Sequence, residues 1–254
     1  MRVIWVLAMN TYREVIRDRI LYGLILFAFL LIGLSLLMGQ LSFAEQARIS
    51  ANFGLSAIHL VAVALAIFVG SNLVYKEIDK KTILTILVRP ISRFQFILGK
   101  ALGLTLLILT MIVGLALVLT AVFAFLKMPM DSRLLWVLTG LLCESLVLLG
   151  VTLLFSMITR PILVVCFSFG VFLIGHWQDS LEFFAKKSGG GIAMVHFLAS
   201  HFLPNLERVN WKDLVLYDQP VDTLANLNSV AYAICWFGLC IGLATLIFRK
   251  KDVG

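Results

Sequence analysis

The residues of this chain able to do chemistry are few, and they fall in three places. The first is residues 75–100, where Glu77 and Asp79 sit beside Lys80 and Lys81, and Arg89–Pro90–Ile91–Ser92–Arg93 leads into Gly99–Lys100. Mixed acids and bases on a short helix-forming element suit charge-paired docking of a soluble partner rather than bond making. The second place is Glu144, inside a long apolar run. An ionised acid at the centre of a membrane span costs about 3 kcal/mol on insertion scales, so it faces a bundle interior or cavity, or carries a proton. Two readings stand for it: a conduit or proton-sensitive group, or a structural hydrogen bond to a neighbouring helix. The third is the set of histidines and cysteines. His196 and His201 are five residues apart, which splays them around a helix. His59 and His176 read as interfacial polar groups near span ends. Cys143, Cys166, Cys235 and Cys240 all fall in apolar runs without a Cys-x-x-Cys spacing and read as packing thiols. There is no Gly-x-Ser-x-Gly, no His-Glu-x-x-His and no Gly-x-x-x-x-Gly-Lys-Ser/Thr phosphate loop. The chain therefore reads as neither an enzyme nor the holder of a metal or cofactor.

The elements that must position these residues follow from composition. The chain has 254 residues, 61% hydrophobic and 14% charged, with a mean hydropathy of +1.02. Soluble domains are about 45–50% apolar and about 25% charged. Several windows exceed the roughly 18 apolar residues that mark a membrane span. The expected fold is all-α and polytopic, with six spans at 20–38, 55–74, 97–126, 134–158, 162–177 and 230–248. Helices are required because the backbone must satisfy its own hydrogen bonds in lipid. The third span is long enough to tilt or protrude. The fifth is too short to cross as a straight helix, about 24 Å at about 1.5 Å per residue.

Lys and Arg set the orientation. With both termini inside, the cytoplasmic segments hold 14 basic residues and the outer segments 7. The net charge of +7 is thus a positive-inside bias, not a nucleic-acid patch. Ser42–Phe43–Ala44 has the form of a cleavage site, but the preceding leader and apolar run are too long for a signal peptide. Residues 1–19 read as a cytoplasmic interfacial helix and 20–254 as one transmembrane domain.

On a helical wheel, Ile4, Trp5, Ala8, Met9, Thr11, Tyr12, Val15 and Ile16 share one half of the N-terminal segment, and Arg2, Asn10, Arg13 and Arg17 the other. This describes a basic amphipathic helix in the headgroup plane, with Trp5 and Tyr12 at the membrane interface. The bland alternative is a disordered basic leader. In the insert after the second span, Ile83, Leu84 and Leu87 make one apolar stripe. Pro90 suits the first turn of the following helix. The bland alternative here is a basic loop serving only the positive-inside rule.

The order of these features resembles the membrane subunits of ATP-binding-cassette transporters of the second exporter type. A basic leader ends at Arg17–Asp18–Arg19, two spans follow, then Glu77…Thr82, Leu87…Pro90–Ile91–Ser92–Arg93 and Gly99–Lys100. Lys81 stands where that family usually has Gly. The resemblance implies a permease of exporter direction, paired with a second copy or a paralogue and bound to a separate cytoplasmic ATPase that holds ATP and Mg. It implies that the insert at 76–96 is the coupling element seated on that ATPase, with Glu77, Asp79, Lys80, Lys81, Thr82, Leu84, Leu87, Arg89, Pro90 and Arg93 as its contact residues. It places the first and fifth spans at the seam between two permeases. The setting implied is the inner membrane, in contact with lipid and without nucleic acid.

Residues 178–228 form the one sizeable external segment, with helical spacing at 180–185 and 192–203 around the break Gly189–Gly190–Gly191. The expectation is helices that re-enter or cap the outer face, as a gate, as a platform for an external partner, or simply resting on the bilayer. Two other function classes compete with the permease: an ion-coupled carrier, for which only Glu144 speaks, and a membrane anchor that recruits a soluble partner. With the four native cysteines replaced, a cysteine at Lys186 is expected to react with an impermeant maleimide from outside intact cells, and one at Lys80 only after permeabilisation. The reverse pattern would overturn the orientation.

Overall fold

A computed structural model describes residues 2–40, 46–73, 92–125, 127, 131–188 and 190–250. Ten helices carry the fold of the described residues: α1 (Arg2–Ile16), α2 (Arg19–Gln40), α3 (Gln46–Ala64, continued through a π-turn at Leu65–Val69 to Leu73), α4 (Arg93–Phe125), α5 (Leu134–Ser156), α6 (Pro161–His176), α7 (Gln178–Ser188), α8 (Gly190–Phe202), α9 (Asp213–Leu216) and α10 (Thr223–Lys250). No strand occurs among the described residues.

Among the described residues, four helices are long and apolar enough to cross a membrane: Gln46–Leu73, Arg93–Phe125, Leu134–Ser156 and Thr223–Arg249. A fifth crossing would be the pair α6–α7, which bends by 61° at Trp177. The apolar stretch Arg19–Leu34 of α2 is shorter than that length. The expected six spans thus become four unbroken helices, one bent pair and one shorter apolar helix. Hydropathy also placed two starts too late. α3 begins at Gln46 because a semi-polar turn, with Ser50 and Ala51 buried, joins the same helix. α10 begins at Thr223 because the Asp222 carboxylate accepts from the N–H groups of Leu224 and Ala225 at 3.1 and 3.2 Å, an N-cap that hydropathy does not register.

α3 and α5 form the centre of the bundle, with 72% of each apolar window buried, against 33% in α4 and 28% in α10. One contiguous apolar core runs from Val15 and Leu21 through α3, α4 and α5 to Phe248.

The start of α4 and the end of α10 share one end of the bundle with α1. Ser92 and Gln95 form a reciprocal capping box: Gln95 N–H donates to Ser92 Oγ and Ser92 N–H to Gln95 Oε1, both at 3.2 Å. α4 therefore starts at Arg93, and Pro90, expected in the first turn of this helix, lies outside the described residues. Arg93 donates to the carbonyls of Phe248 and Arg249 and lies 5.3 Å from the centre of the Phe248 ring, closing the last turn of α10. Two glycines let α1 lie directly on α4. A Cβ on Gly99 would meet Leu7 Cβ at 2.7 Å, and one on Gly103 would meet Ala8 O at 2.6 Å and Thr11 Cβ at 2.7 Å. Beside them Lys100, 2% exposed, pairs with Glu14 at 3.5 Å. The Gly99–Lys100 pair thus fastens α1 to α4.

Gly103→Ala is expected to cost about 1–3 kcal/mol of stability by overpacking against Ala8. Gly114→Ala, where nothing lies within 4 Å, is expected to be neutral or to gain up to about 1 kcal/mol of helix propensity. Unfolding in mixed detergent micelles measures both.

Candidate functional site

Four polar side chains from separate elements meet inside the bundle: His59 of α3, Glu144 of α5, His176 at the end of α6, and Lys212 just before α9. Glycines and a buried amide bring them together. The side-chain amide of Gln178, 5% exposed, donates toward the carbonyls of Ala199, Leu203 and Pro204, each at 3.3 Å, which ties the bend after α6 to the end of α8. The chain then returns over the bundle. Leu206 N–H donates to Gly175 O at 3.1 Å, and a Cβ on Gly175 would meet Leu206 Cγ at 2.8 Å. A side chain on Gly140 would collide with the Val209 carbonyl and with Trp211, so α5 too is cut back to admit this segment. Asn205 N–H donates to the Tyr232 hydroxyl at 2.8 Å, and Trp211 meets Trp136 edge-on at 6.0 Å. Lys212 is carried in by this return.

Glu144 is fully buried, and the side chains of His59 and His176 are 12% and 19% exposed. Lys212 Nζ donates to His59 Nδ1 at 2.6 Å. The opposite nitrogen of that ring, Nε2, therefore carries the proton it donates to Glu144 Oε1 at 2.7 Å. His176 Nδ1 donates to the Phe172 carbonyl at 3.2 Å. Its Nε2 lies 3.5 Å from Glu144 Oε1. Neither Glu144 Oε2 nor His176 Nε2 has a hydrogen-bond partner among the described residues. The donor atoms of His59, Glu144 and His176 lie within 4.8 Å of one another. Burial holds the Lys212 pKa below its usual value, partly offset by Glu144, Glu207 and Asp213. Burial likewise raises the Glu207 carboxyl, against the opposing pull of His176 and Asn210.

A second feature lies at the end of the bundle away from the termini. A cavity of about 540 Å³ has Leu55, Leu119 and Phe123 in its lining, with Arg48, Asp131, Arg133 and Asp218 supplying the charge. Arg133 bridges Asp218 and the Leu214 carbonyl, each at 3.1 Å, and Arg48 stacks over Tyr217 at 4.5 Å.

Of the residues expected to contact an ATPase, Glu77, Asp79, Lys80, Lys81, Thr82, Leu84, Leu87, Arg89 and Pro90 lie outside the described residues. Arg93 alone is placed, at the head of α4. In α1 the buried residues Ala8, Thr11 and Val15 fall on the expected apolar half. Tyr12 packs partly against the core, Arg13 and Arg17 are exposed, and Trp5 is 58% exposed. Cys143 and Cys240 are buried as packing thiols, whereas Cys166 and Cys235 are exposed. The convergence of His59 and His176 on Glu144, and the part of Lys212, escaped sequence reasoning. The usable signal was the shortness of α6, which ends its last residue partway through the bundle.

These helices define a polytopic helical membrane protein. A profile of the ABC-2 family transporter proteins matches residues 16–177, from the end of α1 through α6. That is more than half of the chain. The chain belongs to this family of transporter permeases. No curated protein matches it.

Glu144 and Lys212 both act on His59, so Glu144→Ala and Lys212→Ala are expected to be non-additive, with a coupling energy of about 0.5–3 kcal/mol in a double-mutant cycle of unfolding. Additive losses would show that the chain Lys212–His59–Glu144 does not act as a unit.

Proposed function

We propose that this permease is the membrane half of an ATP-driven exporter, working as a pair of permeases with two copies of a separate cytoplasmic ATPase. The observation that carries the reading is the family match over α2–α6, joined to the bolted arrangement of α1 on α4 directly after residues 74–91. In this reading both termini face the cytoplasm of the inner membrane, and Glu77, the segment Lys80–Arg93 and their neighbours seat on the ATPase. ATP and Mg are held there, since this chain has no phosphate loop. Closure of the ATPases would move the head of α4, and with it α1 and the last turn of α10.

The pairing of permeases is supported by open faces on α2 and α6. Leu26, Leu30 and Phe169 are 63%, 64% and 50% exposed. Gly23, Gly33 and Gly170 have nothing within 4 Å, leaving room for the close backbone approach that small residues permit. The amphipathic cavity rimmed by Arg48 and Arg133 suits an amphipathic substrate released on the outer side. α8 presents Met194, Val195, Phe197 and Phe202, all exposed, as an apolar face toward lipid or an external partner.

Tagged protein purified from native membranes is expected to carry a soluble ATPase with a phosphate-binding loop in equal amount. Cysteines at Leu26 and Phe169 are expected to crosslink between two permease copies. Glu77→Ala should lower ATPase recovery by at least about tenfold, the effect of losing about 1.4 kcal/mol of binding, while the permease stays inserted. A permease that is monomeric and free of any ATPase would overturn the reading.

A further inference from the structure

We propose that His59, Glu144 and His176 form a binding site for a divalent transition-metal ion of the zinc class. The inference is independent of the proposed transport function. It starts from a mismatch. His176 Nδ1 is engaged by the Phe172 carbonyl, and in the neutral ring this leaves Nε2 as an acceptor that faces a carboxylate oxygen at 3.5 Å with no hydrogen-bond partner among the described residues. Two acceptors at that distance repel unless a positive centre lies between them. A second acceptor, Glu144 Oε2, is fully buried in the same place and also lacks a partner among the described residues.

The donor set fits such an ion. Two imidazoles and one carboxylate, with a fourth position left open, are ligands that zinc takes at about 2.0–2.2 Å. Tetrahedral ligands at that radius stand about 3.3 Å apart. The observed separations are 2.7 Å for His59 to Glu144 and 3.5 Å for His176 to Glu144, with all three atoms within 4.8 Å. Small side-chain rotations bring them to that spacing. The carbonyl that holds His176 Nδ1 is the outer partner that fixes a metal-binding tautomer. On binding, the ion replaces the Nε2 proton of His59, and that proton leaves. The Lys212 proton then passes to His59 Nδ1, which becomes a donor toward the neutral amine. Bound there, the ion would join α3, α5 and α6 at one point.

The test uses the full-length chain in lipid nanodiscs, carrying a tag without histidines and stripped with a chelator. Titration with Zn²⁺ against a competing chelator is expected to give one ion per chain. Co²⁺ is expected to give the intense visible bands of a tetrahedral site. His176→Ala and Glu144→Gln should weaken binding at least about tenfold, in line with what even outer-shell changes cost. His59→Cys should bring a thiolate-to-Co²⁺ charge-transfer band, which a misfolded or distant site cannot produce. Failure of the wild-type chain to take up either ion stoichiometrically would overturn the proposal and leave a shared proton as the positive centre. Binding undiminished in His176→Ala, or His59→Cys without the new band, would equally overturn it.

Discussion

A helix that stops inside an apolar slab leaves its last carbonyls with no water to accept from, and each unsatisfied group there costs several kcal/mol. α6 is such a helix. Its 16 residues span about 24 Å, short of a hydrocarbon core of about 30 Å. Much of the far half of the structure answers that constraint. Trp177 N–H donates back to Leu173 and Ile174, Leu206 N–H to Gly175, and the Gln178 amide to three carbonyls at the end of α8. The returning segment needs Gly140 and Gly175 to fit, and it carries Lys212 to His59. The polar cluster around Glu144 therefore follows from where α6 ends.

The other end of the bundle is built on close backbone approach. Gly99 and Gly103 admit α1, Lys100 pairs with Glu14, and Ser92 with Gln95 starts α4 at a fixed residue. Arg93 then binds the last carbonyls of α10. Arg93, which the family resemblance assigns to partner contact, thus has a packing task within this chain as well. The string from Ser92–Arg93 to Gly99–Lys100 acts as helix start and clamp at once.

The helical class, the amphipathic α1, the shortness of the fifth span and the helices on either side of Gly189–Gly191 were legible, because periodicity and apolar length are local properties. The starts of α3 and α10 were not, since a buried Ser50 or a capping Asp222 is invisible to hydropathy. Glu144 was legible as an anomaly, with a hydrogen bond to a neighbouring helix among its two readings, and His59 supplies that bond. Its partners were not legible. His59, His176 and Lys212 lie 85, 32 and 68 residues from Glu144 in sequence, and only the folded return after α6 makes them neighbours. His59 and His176 read as separate interfacial groups because their common depth depends on a bend of 61° that no single residue announces.

α4 has 33 residues, about 50 Å at about 1.5 Å per residue. A rod of that length behaves as a lever. Rocking it by about 10° about its far end swings the near end through an arc of about 9 Å, by the same rise per residue. α1 and the last turn of α10 are fixed to that near end, so they must ride the arc with it. Small angular changes within the bundle are thereby converted into nanometre-scale sweeps at the head of α4.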